Sequence, residues 1–303
     1  MQEQSSNKMA ALLCRSIVIK RVGDAFRPVQ PRARFLWHLM RWNQLFKLKT
    51  FLQGGLWLAR LDQFNDPLEA TLPDSNLGLL RKLLPPTQLP ATLDEYELAA
   101  KRGYASCWHM SNLEPSVGMW EGKFGNRGKG IALRTTPERF ASTLNHLITP
   151  NGPFYLGEVR YIDHQRDQIP EANTIESAFV VQSQFEWQKE ARFYVHLYGV
   201  NATESLCLER SVWNQPLVRE IDSQNSFSRK REFVGHIPKT ASGDSSKNDG
   251  LAMAVRYTPS LLIEEILVGP RVSDTEYQNL VEMVNGSSYN GPIRKLSDLK
   301  NNG

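Results

Sequence analysis

The most constraining feature of the sequence is the segment 54–69, GGLWLARLDQFNDPLE. Gly54 and Gly55 favour a turn, and the apolar run of Leu56, Trp57 and Leu58 suits a buried strand. The residues that follow, DQFNDP, have the composition of a tight loop. We therefore expect the chain to fold around a buried strand that ends in a well-defined turn.

The loop itself admits two interpretations. Phe64 would anchor it against the core, and Asn65 and Asp66 can each hydrogen-bond their own backbone. Pro67 removes a backbone donor and disfavours helix at Asp66. Asn65 and Asp66 are then either purely turn-forming residues, or residues that also contact a bound nucleotide.

Length and composition predict one large folded unit. The chain has 303 residues, of which 41% are hydrophobic, enough for a sizeable core. We predict a disordered tail at residues 1–15 and a single domain at residues 16–303, with a helical insertion at about residues 72–101 around a proline-rich loop. Since neither a membrane span nor a secretory leader is recognisable, we expect no membrane partner and a cytoplasmic location.

The net charge and the cysteine content exclude few classes of function. The net charge of +4 is mild, although basic residues cluster at 15–41 and in the SRKR segment 228–231, which are solvated faces or phosphate-binding patches. The widely spaced Cys14, Cys107 and Cys207 predict neither a disulfide framework nor a zinc site. Cys107 precedes His109 by two positions and is either a buried thiol or a nucleophile. No spacing of histidine and acidic residues indicates a metal, so we predict none.

The order of periodic segments predicts an α+β fold. Many short strand-like segments occur without regular alternation with helices, which favours a mixed, largely antiparallel central sheet with flanking helices. Segment 35–52 has mostly helical periodicity, with a short strand at its start around 35–39 and a helix end at Gly54. Segment 154–163 is predicted as a strand.

Apolar and polar side chains alternate most clearly in segment 190–198. Ala191, Phe193, Val195 and Leu197 share one predicted strand face, and Glu190, Arg192, Tyr194 and His196 share the other. A strand with one face this polar is expected to line a cleft. The alternative for Glu190 and Arg192 is an ordinary ion pair.

Five segments in this order resemble the bacterial domain of unknown function family 2971. They are LWLARLDQFNDPLE, SCWHMSNLEPSVGMWEGKFGNRGKGIAL, GEVRYID, FEWQKEARFYV and IEEILVGPRVSD. The most diagnostic parts are the Phe-Asn-Asp-Pro turn, the Met-Trp pair before the glycine-rich strand, and the Glu-x-Arg strand. The resemblance covers about residues 35–284.

The family layout is similar to ADP-ribosyltransferase folds, by analogy at the level of the fold. This likeness implies that NAD is a substrate, that no metal is needed, and that two residues are catalytic and five bind the cofactor. The implied catalytic residues are Glu190 as the carboxylate and His38 (or Arg34) at the ribose or phosphate, and the implied cofactor-binding residues are Asn65, Asp66, Trp120, Phe124 and Arg192. The carboxylate would stabilise the oxocarbenium-like transition state. For His38 and Trp120, packing in the core is the alternative role.

Two departures from the family pattern bear on activity. Lys123 or Phe124 stands where the family usually has a tyrosine, and Glu190 lacks a second acidic residue directly beside it. If either is needed for catalysis, the enzyme is altered or inactive. The sequence therefore supports two functions: an NAD-dependent ADP-ribosyltransferase-like enzyme that modifies nucleic acid or protein, as in bacterial phage defence, or a non-catalytic nucleotide- or nucleic-acid-binding module. A nuclease or hydrolase ranks last, because the sequence has neither a metal-binding constellation nor a GxSxG elbow.

Overall fold

Strands and helices follow one another irregularly along the chain, and the α+β class predicted from the sequence is confirmed. The structure is a computed structural model that describes residues 30–64, 66–122, 127–144, 154–169, 174–196, 235–236 and 252–296. The predicted tail at residues 1–15 lies outside these ranges. Contacts divide the chain into a first unit, Met1–Pro31, Arg60–Cys107 and His146–Tyr198, and a second unit, Arg32–Ala59, Trp108–Asn145 and Gly199–Gly303. That residues 16–303 form one domain stays a prediction.

The strands are numbered in chain order. They are β1 (Phe35–Arg41), β2 (Gly55–Arg60), β3 (Gly103–Ser111), β4 (Gly130–Thr135), β5 (Phe154–Glu158), β6 (Arg160–Ile162), β7 (Val180–Gln182), β8 (Glu190–His196), β9 (Gly235–His236), β10 (Ala252–Arg256), β11 (Glu265–Val268) and β12 (Ile293–Lys295). β3 begins in the first unit and ends in the second.

The helices are numbered in the same way. They are α1 (Leu45–Leu52), α2 (Asp74–Leu83), α3 (Leu89–Arg102), α4 (Val117–Glu121), α5 (Pro137–Leu144), α6 (Thr174–Ser177), α7 (Pro259–Leu262) and α8 (Asp274–Asn285). Short 3₁₀ helices occupy Trp42–Gln44, Leu61–Gln63 and Ser183–Gln188. Among the described residues, no helix has both the length and the apolar character needed to cross a membrane.

The second unit is built on a sheet with the strand order β12-β11-β4-β1-β3-β2-β10-β9. The pairs of β1 with β3 and β4, of β4 with β11, and of β10 with β2 and β9 are antiparallel, whereas β11 and β12 are parallel. One core cluster on this sheet contains Trp37, Trp120, Ala132 and Leu267, each fully buried. The antiparallel pairs explain the alternating sequence patterns.

Gly54 shapes the turn between α1 and β2 in this unit. Its φ of +81° lies in the left-handed region, and its N–H donates to the Phe51 carbonyl at 3.0 Å, as predicted for a residue that ends a helix. Its own carbonyl accepts from the Tyr257 N–H at 2.8 Å. The turn therefore ties the end of α1 to the residue that follows β10.

The first unit combines a small sheet with a helical layer. β5 and β8 pair antiparallel, β8 also pairs with β3, and β6 and β7 form a separate parallel pair. One core cluster lies around Leu61, Tyr155, Phe179 and Tyr194, and a second packs Leu72, Leu80, Leu84, Ile162, Ile169 and Val180 together. α2 and α3 occupy the segment predicted as a helical insertion.

Helical periodicity overstated the helix in segment 35–52. The predicted short strand exists, but it runs to Arg41, and α1 begins only at Leu45. β1 pairs with β4 over six residues and with β3 over three. Hydrogen bonding to strands on both sides outweighs the local 3.6-residue pattern, because tertiary context overrides weak helix propensity.

The polar face of β8, which the sequence predicts to line a cleft, is buried. All seven residues from Glu190 to His196 are buried, including both Arg192, which is 2% exposed, and Glu190, which is 9% exposed. Polar side chains tolerate burial when their hydrogen bonds and charges are compensated. The partners of Arg192 supply this compensation.

Candidate functional site

The turn after β2 forms as its composition predicts. Asp66 Oδ1 accepts from the Leu68 N–H at 2.9 Å, and the Asp66 carbonyl accepts from the Glu69 N–H at 3.1 Å. These bonds are those of an aspartate that caps its own turn. A second donor to Asp66 Oδ1 is the side-chain amide of Gln182 on β7, at 2.5 Å. The turn is therefore fixed locally and also to a distant strand.

Arg192 is the centre of a buried ionic group that we call the Arg192 cluster: Glu69, Glu190 and Arg192. Nη1 and Nη2 donate to the two carboxylate oxygens of Glu69, at 2.5 and 3.2 Å. Nε and Nη2 both donate to Glu190 Oε2, at 3.1 and 3.0 Å. The remaining Nη1–H donates to the Ala178 carbonyl at 2.6 Å. All five N–H groups of the guanidinium are therefore used.

The predicted anchoring role of Phe64 has a specific form. The Arg192 guanidinium carbon lies 5.4 Å from the centre of the Phe64 ring, within the range of a cation–π contact. Glu69 and Phe64 thus hold Arg192 from the two ends of the same turn. The segment 64–69 and strand β8 form one structural group.

The electrostatics of the cluster follow from its burial. Burial raises the pKa of Glu69 to about 7, Arg192 acts in the opposite direction, and Glu190 and Asp66 add to the rise. Burial also opposes the charge of Arg192, but Glu69 and Glu190 outweigh it and raise the guanidinium pKa. Two carboxylates facing one guanidinium leave an excess of negative charge when both are ionised.

Cys107 and Tyr161 adjoin Glu190. The Glu190 N–H donates to the Tyr161 hydroxyl oxygen at 2.7 Å. Burial, followed by the Glu190 carboxylate, raises the pKa of the Cys107 thiol well above its ordinary value. Since the thiolate is the nucleophilic form, this setting favours the inert-thiol interpretation of Cys107 over the nucleophile.

A cavity of about 380 Å³ opens beside the turn and against α2 and α3. Its apolar wall consists of Leu61, Phe64, Pro67, Ala70, Leu72, Leu77, Leu93 and Ala100, joined by Tyr96 and Thr71, and its acidic residues are Asp62, Asp66, Glu69 and Glu97. Within the described part of the chain, none of the lining residues is a lysine or arginine. The cavity lining is thus apolar and acidic in composition.

Three of the four acidic groups already have a cationic partner. Asp62 accepts from Arg60 at 2.7 Å, Glu97 from Lys101 at 2.5 Å, and Glu69 is held by Arg192. Asp66 differs, because the donors to its Oδ1 among the described residues are neutral groups, the Leu68 N–H and the Gln182 amide. Its second oxygen, Oδ2, is buried and has no hydrogen-bond partner among the described residues.

The predicted site residues fall into three sets. Asp66, Glu190 and Arg192 lie in the first unit, where the first lines the cavity and the other two belong to the Arg192 cluster. Asn65 and Phe124 lie outside the described residues. His38, Trp120 and Arg34 lie in the second unit.

In the second unit, the surroundings of these residues are those of packed side chains. His38 lies between the rings of Phe51 and Trp108, at 5.0 and 5.1 Å between centres. Trp120 is 0% exposed in the cluster with Trp37. Both match the core alternative, and their proposed contacts with NAD stay predictions.

The sequence predicts no role for Glu69, Gln182 or His164. Glu69 closes the diagnostic segment, but its partner Arg192 is 123 positions away. Gln182 is 116 positions from Asp66. The only signal for Glu69 was its place directly after the turn, and no local pattern indicated the other two.

No family model, curated protein or solved structure matches the chain. The resemblance to family 2971 and to ADP-ribosyltransferase folds therefore stays a prediction. Among the described residues, no three histidine, cysteine or acidic side chains are grouped as metal ligands.

Proposed function

We propose that the cavity binds a small organic cation that carries an apolar body. The observation that supports this most directly is Asp66 Oδ2, a buried carboxylate oxygen without a hydrogen-bond partner among the described residues, on a residue that lines the cavity. A buried acceptor left unpaired is costly, and an ammonium or guanidinium group would satisfy it with a charge-assisted hydrogen bond.

The remaining walls suit the rest of such a ligand. Phe64 and Tyr96 contribute aromatic surface, and Leu61, Leu72 and Leu77 contribute aliphatic surface. Each buried methylene of a ligand gains about 0.8 kcal/mol. The cavity volume lies in the range of small-molecule pockets. A charged head at Asp66 and an apolar body along α2 and α3 would use both parts of the lining.

The negative lining also selects against anions. The pyrophosphate of a dinucleotide would meet the Asp66 carboxylate and, among the described lining residues, no lysine or arginine. Like charges in a partly buried pocket repel strongly. The cavity chemistry therefore favours amines over intact NAD.

The test compares 2-phenylethylammonium with the neutral 2-phenylethanol by calorimetry at pH 8. We expect the ammonium compound to bind more tightly, and Asp66→Asn to weaken its binding about 10- to 100-fold through loss of a charge-assisted bond. Asp94→Asn makes the same change on an exposed residue of α3 outside the cavity and should leave the affinity unaltered. Equal affinities for the two compounds, or equal effects of the two variants, would refute cation binding.

A second candidate function is the NAD-dependent transfer of ADP-ribose to nucleic acid or protein, in a setting such as phage defence. What favours it is the fixed orientation of Glu190, whose Oε2 accepts two hydrogen bonds from Arg192. An oriented carboxylate suits the stabilisation of an oxocarbenium-like centre. Glu190 is outside the cavity lining, so NAD would need a different binding surface.

Labelled NAD tests this candidate with purified protein and a cell lysate. Transfer should be detected with the unmodified chain and should fall at least about 100-fold in Glu190→Gln, which keeps the side-chain shape but loses the charge. Glu186→Gln, on an exposed residue four positions earlier, is the matched control. Transfer that is absent, or equal in both variants, counts against the enzyme.

The module alternative, which binds nucleotides or nucleic acid without catalysis, has less structural support. Its basic clusters at 15–41 and 228–231, and the basic glycine-containing loop KFGNRGK at 123–129, lie largely outside the described residues. Within them, Lys129 is paired with Glu276 at 2.7 Å.

A further inference from the structure

His164, in the turn after β6, is a buried residue that the proposed binding function does not use directly. It is 6% exposed, and neither ring nitrogen has a hydrogen-bond partner among the described residues. Its backbone carbonyl accepts from the Asp74 N–H at 2.8 Å, which ties the turn to the start of α2. A buried imidazole without partners is costly and signals a missing partner.

Three carboxylates act on this imidazole from different elements: Asp66 in the turn after β2, Asp74 at the start of α2, and Asp163 next to His164 in sequence. All three favour the protonated ring, but burial opposes its charge more strongly and lowers the pKa of His164. The lowered pKa favours the uncharged ring. Asp163 Oδ1 already accepts from the Gln165 N–H at 2.9 Å.

Asp66 has one oxygen available for a further partner. Oδ1 is taken by Leu68 and Gln182, whereas Oδ2 is unpartnered within the described chain. Oδ2 is thus the acceptor for which a ligand cation and a protonated His164 would compete. His164 is not among the described residues that line the cavity.

We propose that His164 is a proton-controlled switch for the cavity, and that on acidification its imidazolium takes Asp66 Oδ2 as a partner and releases the bound organic cation. This inference rests on the proposed cation-binding function. Reciprocity of linked equilibria requires that the ligand in turn disfavours protonation of His164. When the His164 ring is neutral, Asp66 Oδ2 can bind the ligand cation. When the ring is protonated, it binds Asp66 Oδ2 in place of the ligand.

The proposed pairing of His164 with Asp66 is tested without any ligand, by following the imidazole signals of the whole chain by NMR as pH is varied. Asp66→Asn should lower the pKa of His164 by about one pH unit, because a favourable carboxylate is lost. Asp94→Asn, on the exposed face of α3, should leave it unchanged. Equal His164 titrations in the two variants would overturn the pairing. His164→Gln identifies the signal.

The switch itself is tested by calorimetric binding of 2-phenylethylammonium between pH 8 and pH 5. In the unmodified chain the affinity should fall by up to about tenfold per pH unit below the titration point of His164. His164→Gln should flatten this part of the profile and leave only the loss due to carboxylate protonation. Far-ultraviolet circular dichroism checks that the variant is folded, and His164→Asn provides a second replacement.

The outcomes separate the two proposals. Parallel pH profiles in the unmodified chain and His164→Gln overturn the switch while leaving cation binding in place. Failure of the unmodified chain to bind at pH 8 overturns the cation-binding function, and the switch for that ligand with it, whatever the NMR titration shows.

Discussion

Replacing Arg192 by methionine is expected to lower the free energy of unfolding by about 3–5 kcal/mol, the usual cost of leaving buried charges without their partner. Glu69 and Glu190 would face each other across the site of the lost guanidinium, and the Ala178 carbonyl would lose a donor. This cost is a large part of the about 5–15 kcal/mol by which a typical domain is stable. Denaturation by urea measures it.

A combined variant shows whether the loss of stability in Arg192→Met comes from unpaired charge or from lost packing. Glu69→Gln and Glu190→Gln added to Arg192→Met remove the uncompensated charges, so most of the lost stability should return. The free energy of unfolding of Arg192→Lys should lie between those of Arg192→Met and the combined variant. One ammonium keeps a positive charge but cannot reproduce the five directed bonds of the guanidinium. If Arg192→Met costs under about 1 kcal/mol, the cluster is not the buried ionic group described above.

Gly54→Ala should lose at least about 2 kcal/mol of stability, from the left-handed backbone and from a direct clash. Gly54 has a φ of +81°, and a Cβ atom there would lie 2.4 Å from the backbone oxygen of Tyr257. Relief requires moving the backbone that follows β10, whose N–H already bonds the Gly54 carbonyl. Urea denaturation compares the variant with the unmodified chain.

Gly78→Ala is the matched control for this change. Gly78 lies in α2, and a Cβ atom there would meet nothing within 4 Å. Alanine in a helix is favoured over glycine by about 0.5–1 kcal/mol, so this variant should be slightly more stable than the unmodified chain. Equal stability of Gly54→Ala and Gly78→Ala would show that the turn adapts freely.

Local chemistry predicted the parts of the fold that depend on neighbours in sequence. The strand β2, the role of Gly54 at the end of α1, and the bonding of Asp66 to its own turn each follow from a few adjacent residues. The α+β class follows from the irregular succession of strands and helices. These features need no knowledge of distant contacts.

Features that depend on distant partners were not predictable in this way. The alternation in β8 correctly indicated a strand, but its polar face is buried because Glu69 and Glu190 neutralise Arg192. Periodicity reports which residues share a face, and it carries no information on what covers that face. The sequence therefore drew attention to Asp66, Glu190 and Arg192 as candidates, but not to Glu69 or His164.

The distance along the chain between Glu69 and Arg192 has a consequence for the order of folding. The first unit takes its residues from three separated stretches, Met1–Pro31, Arg60–Cys107 and His146–Tyr198. During synthesis the turn at Asp66 can close as soon as it leaves the ribosome, but Glu69 must wait for 123 further residues before its guanidinium partner exists. Contacts of such long sequence separation form late and slow folding. We therefore expect the Arg192 cluster to form late in the assembly of the first unit.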